Sequence, residues 1–156
     1  MRADTLLNWI LRGIILFWAV WFTLVTASDS VNLLQVTHFL SPNIPFSSHN
    51  YNLVVKTLLV YDLQSLATGA YLAIILGCFI ASILFWWAVI SLNKEVSYLA
   101  FAVSLAITAI FILFDEFFIQ YEFEHQHVIR LTFQIVTFLL YYLISCKDNE
   151  KFETKK

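Results

Sequence analysis

Charged residues are scarce in this sequence, which excludes an ordinary soluble domain and a nucleic-acid-binding protein. They make up 13% of the 156 residues, and the net charge is −2. Soluble domains carry about a quarter charged residues, and proteins that bind nucleic acid present a basic surface. The chain therefore has neither the solvated surface of the first class nor the positive charge of the second.

Glycine, proline and cysteine are also rare, with three, two and two residues. So few helix-breaking residues give little sign of the interrupted helices on which many transporters build their binding sites. Cys78 and Cys146 are isolated, and they form no C-x-x-C motif. The two cysteines are also expected to lie at different depths of the membrane, which disfavours a structural disulfide. The missing C-x-x-C motif disfavours a disulfide-exchange enzyme.

Apolar residues are abundant instead, at 60% of the chain, and they fall in blocks long enough to cross a bilayer. A helix needs roughly 20 apolar residues to span about 30 Å of hydrocarbon. The sequence predicts an all-α integral membrane bundle of four transmembrane helices with one or two outer-face interfacial helices. The expected spans are about 6–27, 66–90, 96–119 and 128–145, in a membrane domain of residues 1–146 that precedes a polar cytoplasmic tail, 147–156.

The first apolar block has a second interpretation, a cleaved signal peptide. Arg2 and Arg12 would form its basic region, and Val25-x-Ala27 would satisfy the small-residue rule for cleavage. The block is rich in bulky aromatic residues such as Trp18. A retained membrane span is therefore favoured.

The connection between the first two spans is expected to lie along the membrane surface. Ser28–Ser30 offers N-cap side chains to a short amphipathic stretch, Val31–Leu40, before Pro42 and Pro45 break the helix. The segment Tyr51–Tyr61 is apolar but too short to span the bilayer. Such a segment is typical of an interfacial helix.

Small residues recur at every fourth position of the second span. This spacing leaves a smooth groove on one helix face, where the backbone of a neighbouring helix can approach closely. The predicted packing face consists of Gly69, Ala73, Gly77 and Ala81.

Basic residues are distributed unevenly between the two sides that four spans define. Lys56 and Arg130 fall on one side, and the other side holds Arg2, Arg12, Lys94, Lys147, Lys151, Lys155 and Lys156. Because lysine and arginine are enriched in cytoplasmic loops, both termini are expected to be cytoplasmic.

The most polar part of the chain, Asp115–Arg130, lies between the third and fourth spans. Helical periodicity places a polar stripe on each of these two helices, and a short turn would bring the stripes together. Arg130 is expected to pair with Asp115 or Glu116, since a guanidinium can bind a carboxylate through two hydrogen bonds. The two stripes are Ser104, Thr108, Asp115 and Glu122 on the third helix and His127, Arg130, Gln134, Thr137 and Tyr141 on the fourth.

The same segment contains two Glu-x-x-His couples, which raise the alternative of a metal site. Glu122 precedes His125 by three residues, as Glu124 precedes His127, and this spacing occurs in four-helix proteins with paired metals. The two couples overlap and point about 160° apart on a helix, so a two-metal cage is disfavoured. A single divalent ion bound by one of these histidines and a nearby carboxylate is easier to build.

Two segments carry a resemblance to known proteins, namely WFTLVTASDSVNLLQ (residues 21–35) and DEFFIQYEFEHQHVIR (residues 115–130). They resemble segments of small four-span proteins of the bacterial inner membrane that have no assigned activity. The resemblance implies a bacterial cytoplasmic membrane and implies nothing about chemistry.

Three functions are compatible with these features. The favoured one is an accessory or binding subunit of a larger membrane complex, with the lipid bilayer and other membrane subunits or a second copy as partners. The alternatives are a metal-dependent membrane protein and a transporter or component of a proton pathway. No reaction is identified, and the only cofactor that the residues suggest is a divalent metal ion.

Overall fold

Helices account for nearly all of the structure, a computed structural model that describes the backbone of residues 3–153 and the side chains of residues 6–120 and 124–146. Within that range there are five α-helices and no strand. They are α1 (Ala3–Val36), α2 (Asn50–Leu59), α3 (Ala67–Ser91), α4 (Lys94–Phe117) and α5 (Tyr121–Glu153), with a short 3-10 turn at Gln64–Leu66.

Four of these helices are long and apolar enough to cross a membrane, and they form the predicted four-helix bundle. The four apolar segments are Leu6–Val36, Gln64–Ser91, Lys94–Phe117 and Glu124–Cys146. Hydrocarbon offers no hydrogen-bond partners, so a spanning segment has to satisfy its backbone groups internally, as a helix does. The prediction of an all-helical, multi-pass membrane protein is confirmed.

The four long helices are arranged as a ring in the order α1, α3, α4, α5. Helices α1 and α3 pack along most of their length, as do α3 with α4 and α4 with α5, whereas α1 meets α5 at far fewer positions. The short helix α2 lies against α1 and α3. We call the end of the bundle that holds α2 and the α4–α5 turn the α2 end, and the opposite end the tail end.

A row of aromatic side chains crosses the core and joins all four long helices. Phe22 on α1 stacks on Phe85 of α3 with 5.8 Å between ring centroids. Phe85 in turn contacts Phe101 of α4 edge to face at 5.3 Å, and Phe101 lies 5.8 Å from Tyr141 of α5. In lipid, close packing of this kind replaces the hydrophobic effect as a source of helix association.

Helices α1 and α5 both extend beyond the predicted bounds, and α5 does so at both ends, since it continues to Glu153. Helix α1 continues without a break through Ser28–Ser30 and ends at Val36, so Val31–Leu40 is not a separate helix. The reason is that Asp29 does not cap a new helix: its carboxylate accepts hydrogen bonds from two other segments of the chain. Helix α5 begins at Tyr121, about two turns before the predicted start of the fourth span.

The turn between α3 and α4 is short, and the N-cap residue of α4 stabilises it. Asn93 is the N-cap of α4, and its side-chain oxygen accepts a hydrogen bond from the backbone N–H of Glu95 at 2.8 Å. This contact satisfies one of the donors that every helix start leaves unpaired.

Residues other than glycine occupy the strained turn positions. Leu92 ends α3 with φ 53°, and Ile119 occupies the α4–α5 turn with φ 58°. This left-handed conformation costs a residue with a side chain roughly 1–2 kcal/mol. The chain has only three glycines, and none of them adopts positive φ.

We expect Ile119→Gly to raise the free energy of unfolding by roughly 1 kcal/mol, because glycine removes the Cβ clash of the left-handed conformation. The Ile119 side chain is 60% exposed, so little packing inside the protein is lost. Thermal unfolding in detergent measures the change. Ile119→Ala is the control, since alanine keeps the Cβ, and equal stabilisation by both variants would contradict the explanation.

Candidate functional site

Asp115 and His127 form a hydrogen-bonded pair across α4 and α5 at the α2 end. The Oδ2 atom of Asp115 contacts Nδ1 of His127. Asp115 is 8% exposed, and the imidazole packs against the ring of Phe111 with 5.4 Å between centroids. A carboxylate in this position holds the imidazole in one orientation.

The pair is the end of a line of polar side chains buried between α4 and α5, which we call the α4–α5 seam. The residues on α4 lie within about 40° of one another around the helix, as do four of the five on α5. The polar stripes predicted for the two helices therefore face each other, except at two positions: Glu122 lies on α5 because α4 ends at Phe117, and Arg130 is turned toward Trp21 of α1. The seam consists of Ser97, Ser104, Thr108 and Asp115 on α4 and of His127, Gln134, Thr137, Tyr141 and Ser145 on α5.

The seam extends through most of the membrane. Near the tail end, the Tyr141 hydroxyl donates to Ser97 Oγ at 3.0 Å. Ser97 and Asp115 are 18 positions apart in the sequence, which corresponds to roughly 27 Å of helix. That length is close to the hydrocarbon thickness of about 30 Å.

Gln134 is the most unusual residue of the seam because it is fully buried. Neither atom of its amide group has a hydrogen-bond partner among the described residues. The Asp115–His127 and Tyr141–Ser97 hydrogen bonds, both between α4 and α5, place Gln134 at the level of Ser104 and Thr108. Both of those hydroxyls donate to carbonyls of their own helix. The middle of the seam thus retains unused donor and acceptor capacity.

Arg130 does not pair as the sequence suggested. No carboxylate in the described part of the chain lies within ion-pair distance of it, and its guanidinium carbon lies 5.7 Å from the ring centroid of Trp21 on α1. Asp115, the expected partner, is occupied by His127, and Glu116 is exposed. Arg130 therefore belongs to the α1–α5 side of the bundle.

The candidate metal ligands are divided between several environments. His127 is engaged by Asp115, Glu124 is half-buried and His125 is exposed. The side chain of Glu122 lies outside the described residues. Among the side chains that are described, no group of three or more histidines, cysteines or carboxylates could hold a metal ion. Metal binding stays a prediction.

The small residues of α3 do not form one buried face within the chain. Ala81 is fully buried, and a side chain at Gly77 would meet Ile107 of α4 at 3.7 Å. Gly69 and Ala73 are exposed on the outer surface, with nothing within 4 Å of a Cβ at Gly69. The part of the predicted packing face nearer the α2 end, Gly69 and Ala73, is thus open to lipid or to another helix.

A second polar cluster, centred on Asp29, was missed in the sequence. Asp29 is 2% exposed, and Asn32, one turn later on α1, is 3% exposed. The Asp29 carboxylate accepts hydrogen bonds from Asn50 Nδ2 at 2.9 Å and from the Tyr71 hydroxyl at 3.0 Å. Asn32 Oδ1 accepts from the backbone N–H of Tyr51 at 2.9 Å. This cluster fastens the start of α2 to α1 and α3.

Helical spacing alone could have indicated the Asp29 cluster. Asp29 and Asn32 are three residues apart, so they share a face if α1 continues, and Ala67, Tyr71 and Ile75 share the buried face of α3. The N-cap interpretation of Ser28–Ser30 concealed this, because it ended the first helix too early.

No family model, curated protein or solved structure matches this chain. The likeness of residues 21–35 and 115–130 to small bacterial membrane proteins stays a prediction. The function therefore has to be argued from the geometry of the polar clusters.

We expect Tyr71→Phe to lower the free energy of unfolding by about 1.5–3 kcal/mol, because a hydrogen bond to a buried carboxylate is lost. Thermal unfolding in detergent measures this loss. Tyr51→Phe is the matched control: its hydroxyl contacts Thr68 Oγ1 at 3.0 Å at an exposed position, so its effect should stay within about 0.5 kcal/mol. Equal effects of the two variants would show that the Asp29 cluster does not stabilise the bundle.

Proposed function

We propose that this small polytopic membrane protein binds and transfers protons at the Asp115–His127 pair, as a component of a proton pathway. The supporting observation is a carboxylate and an imidazole joined across two membrane helices and largely shielded from the surroundings. Ionisable groups in spans are costly and commonly mark ion or proton routes. An acid and a base in direct contact can exchange a proton with little movement.

The two ring nitrogens of His127 allow it to relay a proton. When Nε2 takes up a proton, Nδ1 can release one to Asp115 Oδ2, and the imidazole returns to its neutral form. Asp115 then passes its proton on to a water molecule in the seam, and rotation of the imidazole ring presents an N–H to Asp115 Oδ2 again. Histidine suits this step because its ordinary pKa, near 6.5, lets it bind and release protons in the physiological range.

The rest of the α4–α5 seam supports a route beyond the pair. Gln134 has free donor and acceptor groups in the middle of the bundle, and Tyr141 and Ser97 bond to each other further along. Asp115 and Thr108 are about two helical turns apart, or roughly 10 Å. Transfer along the seam therefore requires water molecules between the side chains.

The arrangement of basic residues supports an orientation with both termini in the cytoplasm. Lys94, the start of α1 and the end of α5 lie toward the tail end, whereas Lys56 and Arg130 lie toward the α2 end. With lysine and arginine enriched on the cytoplasmic side, the Asp115–His127 pair opens to the outer side.

We expect proteoliposomes containing the protein to show proton flux above that of empty vesicles when a membrane potential is applied. Asp115→Asn and His127→Gln should each reduce this flux to the level of empty vesicles, because one partner of the exchange is removed. The flux is followed with a pH-sensitive dye in the vesicle interior.

Two neighbouring residues provide matched controls for this experiment. Glu116→Gln and His125→Gln change the same chemical groups at exposed positions, and both should retain the wild-type flux. Wild-type flux no higher than that of empty vesicles would overturn the proposal. Equal loss in the control variants would show that the Asp115–His127 pair has no special role.

A second proposal, an accessory subunit of a membrane complex, is supported by the open part of the small-residue face. Gly69 and Ala73 are exposed, so a helix of another subunit or a second copy can approach the α3 backbone there.

We expect Gly69→Leu with Ala73→Leu to release a partner that copurifies with the wild type. Leu72→Phe, an exposed change on the same helix, is the control. An isolated wild-type monomer would contradict the proposal.

A further inference from the structure

A cleft of about 330 Å³ opens between α1 and α5, where the ring of helices is least tightly closed. Its inner part is aromatic: Phe133 of α5 contacts Phe17 at 5.8 Å and Trp18 at 5.7 Å between ring centroids. Its outer part, toward the α2 end, is lined by Trp21, Gln126, Ile129 and Arg130. The cleft therefore combines an apolar inner part with one cation and one amide near its entrance.

Among the residues that the structure describes, Arg130 is the only cationic side chain that lines the cleft. No carboxylate in the described part of the chain is within ion-pair distance of it. Asp29 interacts with Arg130 only by electrostatic attraction at a distance, without a hydrogen bond. The Asp29 carboxylate is already bonded to Tyr71 and Asn50. The side chain lies over Trp21 instead, a contact that offsets part of the cost of removing a guanidinium from water.

Arg130 lies inside the apolar span of α5, near the α2 end. The apolar span of α5 begins at Glu124, and Arg130 follows six positions later, roughly 9 Å along the helix. A long arginine side chain can extend its charged end toward the membrane surface from such a position. Lipid phosphate groups lie at this level, with their acyl chains directed toward the membrane centre.

We propose that the α1–α5 cleft binds a phospholipid, with its phosphate group on Arg130 and Gln126 and one acyl chain along Phe17 and Phe133. The order of the lining residues matches that of the lipid, with donors near the surface and apolar rings deeper. Guanidinium and phosphate form charge-assisted, two-point hydrogen bonds. The charge complementarity favours a phosphate-bearing lipid over a second copy of the chain, whose apolar faces would leave Arg130 unpaired.

Native mass spectrometry of the full chain tests the site. The protein is delipidated in detergent and titrated with phosphatidylglycerol, and the fraction carrying one lipid is measured. Arg130→Gln should weaken the one-lipid complex about tenfold, as expected for the loss of one charge-assisted interaction. Ile129→Trp, which fills the cleft at a 56% exposed position without touching the charge, should weaken it as well.

Arg12→Gln is the matched control, because Arg12 lies at the same distance from an aromatic ring, 5.7 Å from the centroid of Trp9, but does not line this cleft. It should bind lipid as the wild type does. Equal weakening by Arg12→Gln and Arg130→Gln would overturn the proposal, since it would indicate unspecific charge attraction. Displacement of the lipid by glycerol phosphate at equal concentration would show a headgroup-only anion site, and a dimer that excludes lipid would identify a second copy as the occupant.

Discussion

Polar side chains inside this bundle have to find their hydrogen-bond partners within the protein, because hydrocarbon provides none. Several of them do so on another helix, and these contacts join α1 to α3, α1 to α5 and α4 to α5. Thr23 of α1 and Ser82 of α3 are 2.8 Å apart, and Trp18 Nε1 of α1 donates to Thr137 of α5 at 2.9 Å. With the Asp115–His127 pair and the Tyr141–Ser97 bond, such contacts fix the register of helices whose apolar surfaces alone would permit sliding.

The architecture was predictable because crossing a membrane requires segments that are both apolar in composition and helical. Blocks of about 20 apolar residues can only be helices in hydrocarbon, and the polar positions on α4 and α5 follow helical periodicity. The sequence therefore predicted the two facing stripes. It did not predict the left-handed turn residues Leu92 and Ile119, since leucine and isoleucine are normally disfavoured there.

The candidate site was predictable in its location but not in its pairing. Arg130 follows His127 by three positions, which turns it about 60° around α5, away from Asp115 and toward Trp21 of α1. The permanent charge of the guanidinium favoured Arg130 as the partner of Asp115. The position of His127 around α5 instead brings its imidazole to Asp115. Asp29 was missed for a different reason: the N-cap interpretation of Ser28–Ser30 ended the first helix too early. Its partners, Tyr71 and Asn50, are 42 and 21 positions away, so helical spacing could indicate the buried face but not the pairing.

The loose contact between α1 and α5 divides the ring into two stiff halves. On one side, the Thr23–Ser82 contact and the Asp29 cluster bind α1 to α3, and on the other, the Asp115–His127 and Tyr141–Ser97 contacts bind α4 to α5. The halves are connected by the packing of α3 against α4. A molecule dissolved in the bilayer can reach the interior sideways, through the open edge between α1 and α5, without first passing through water.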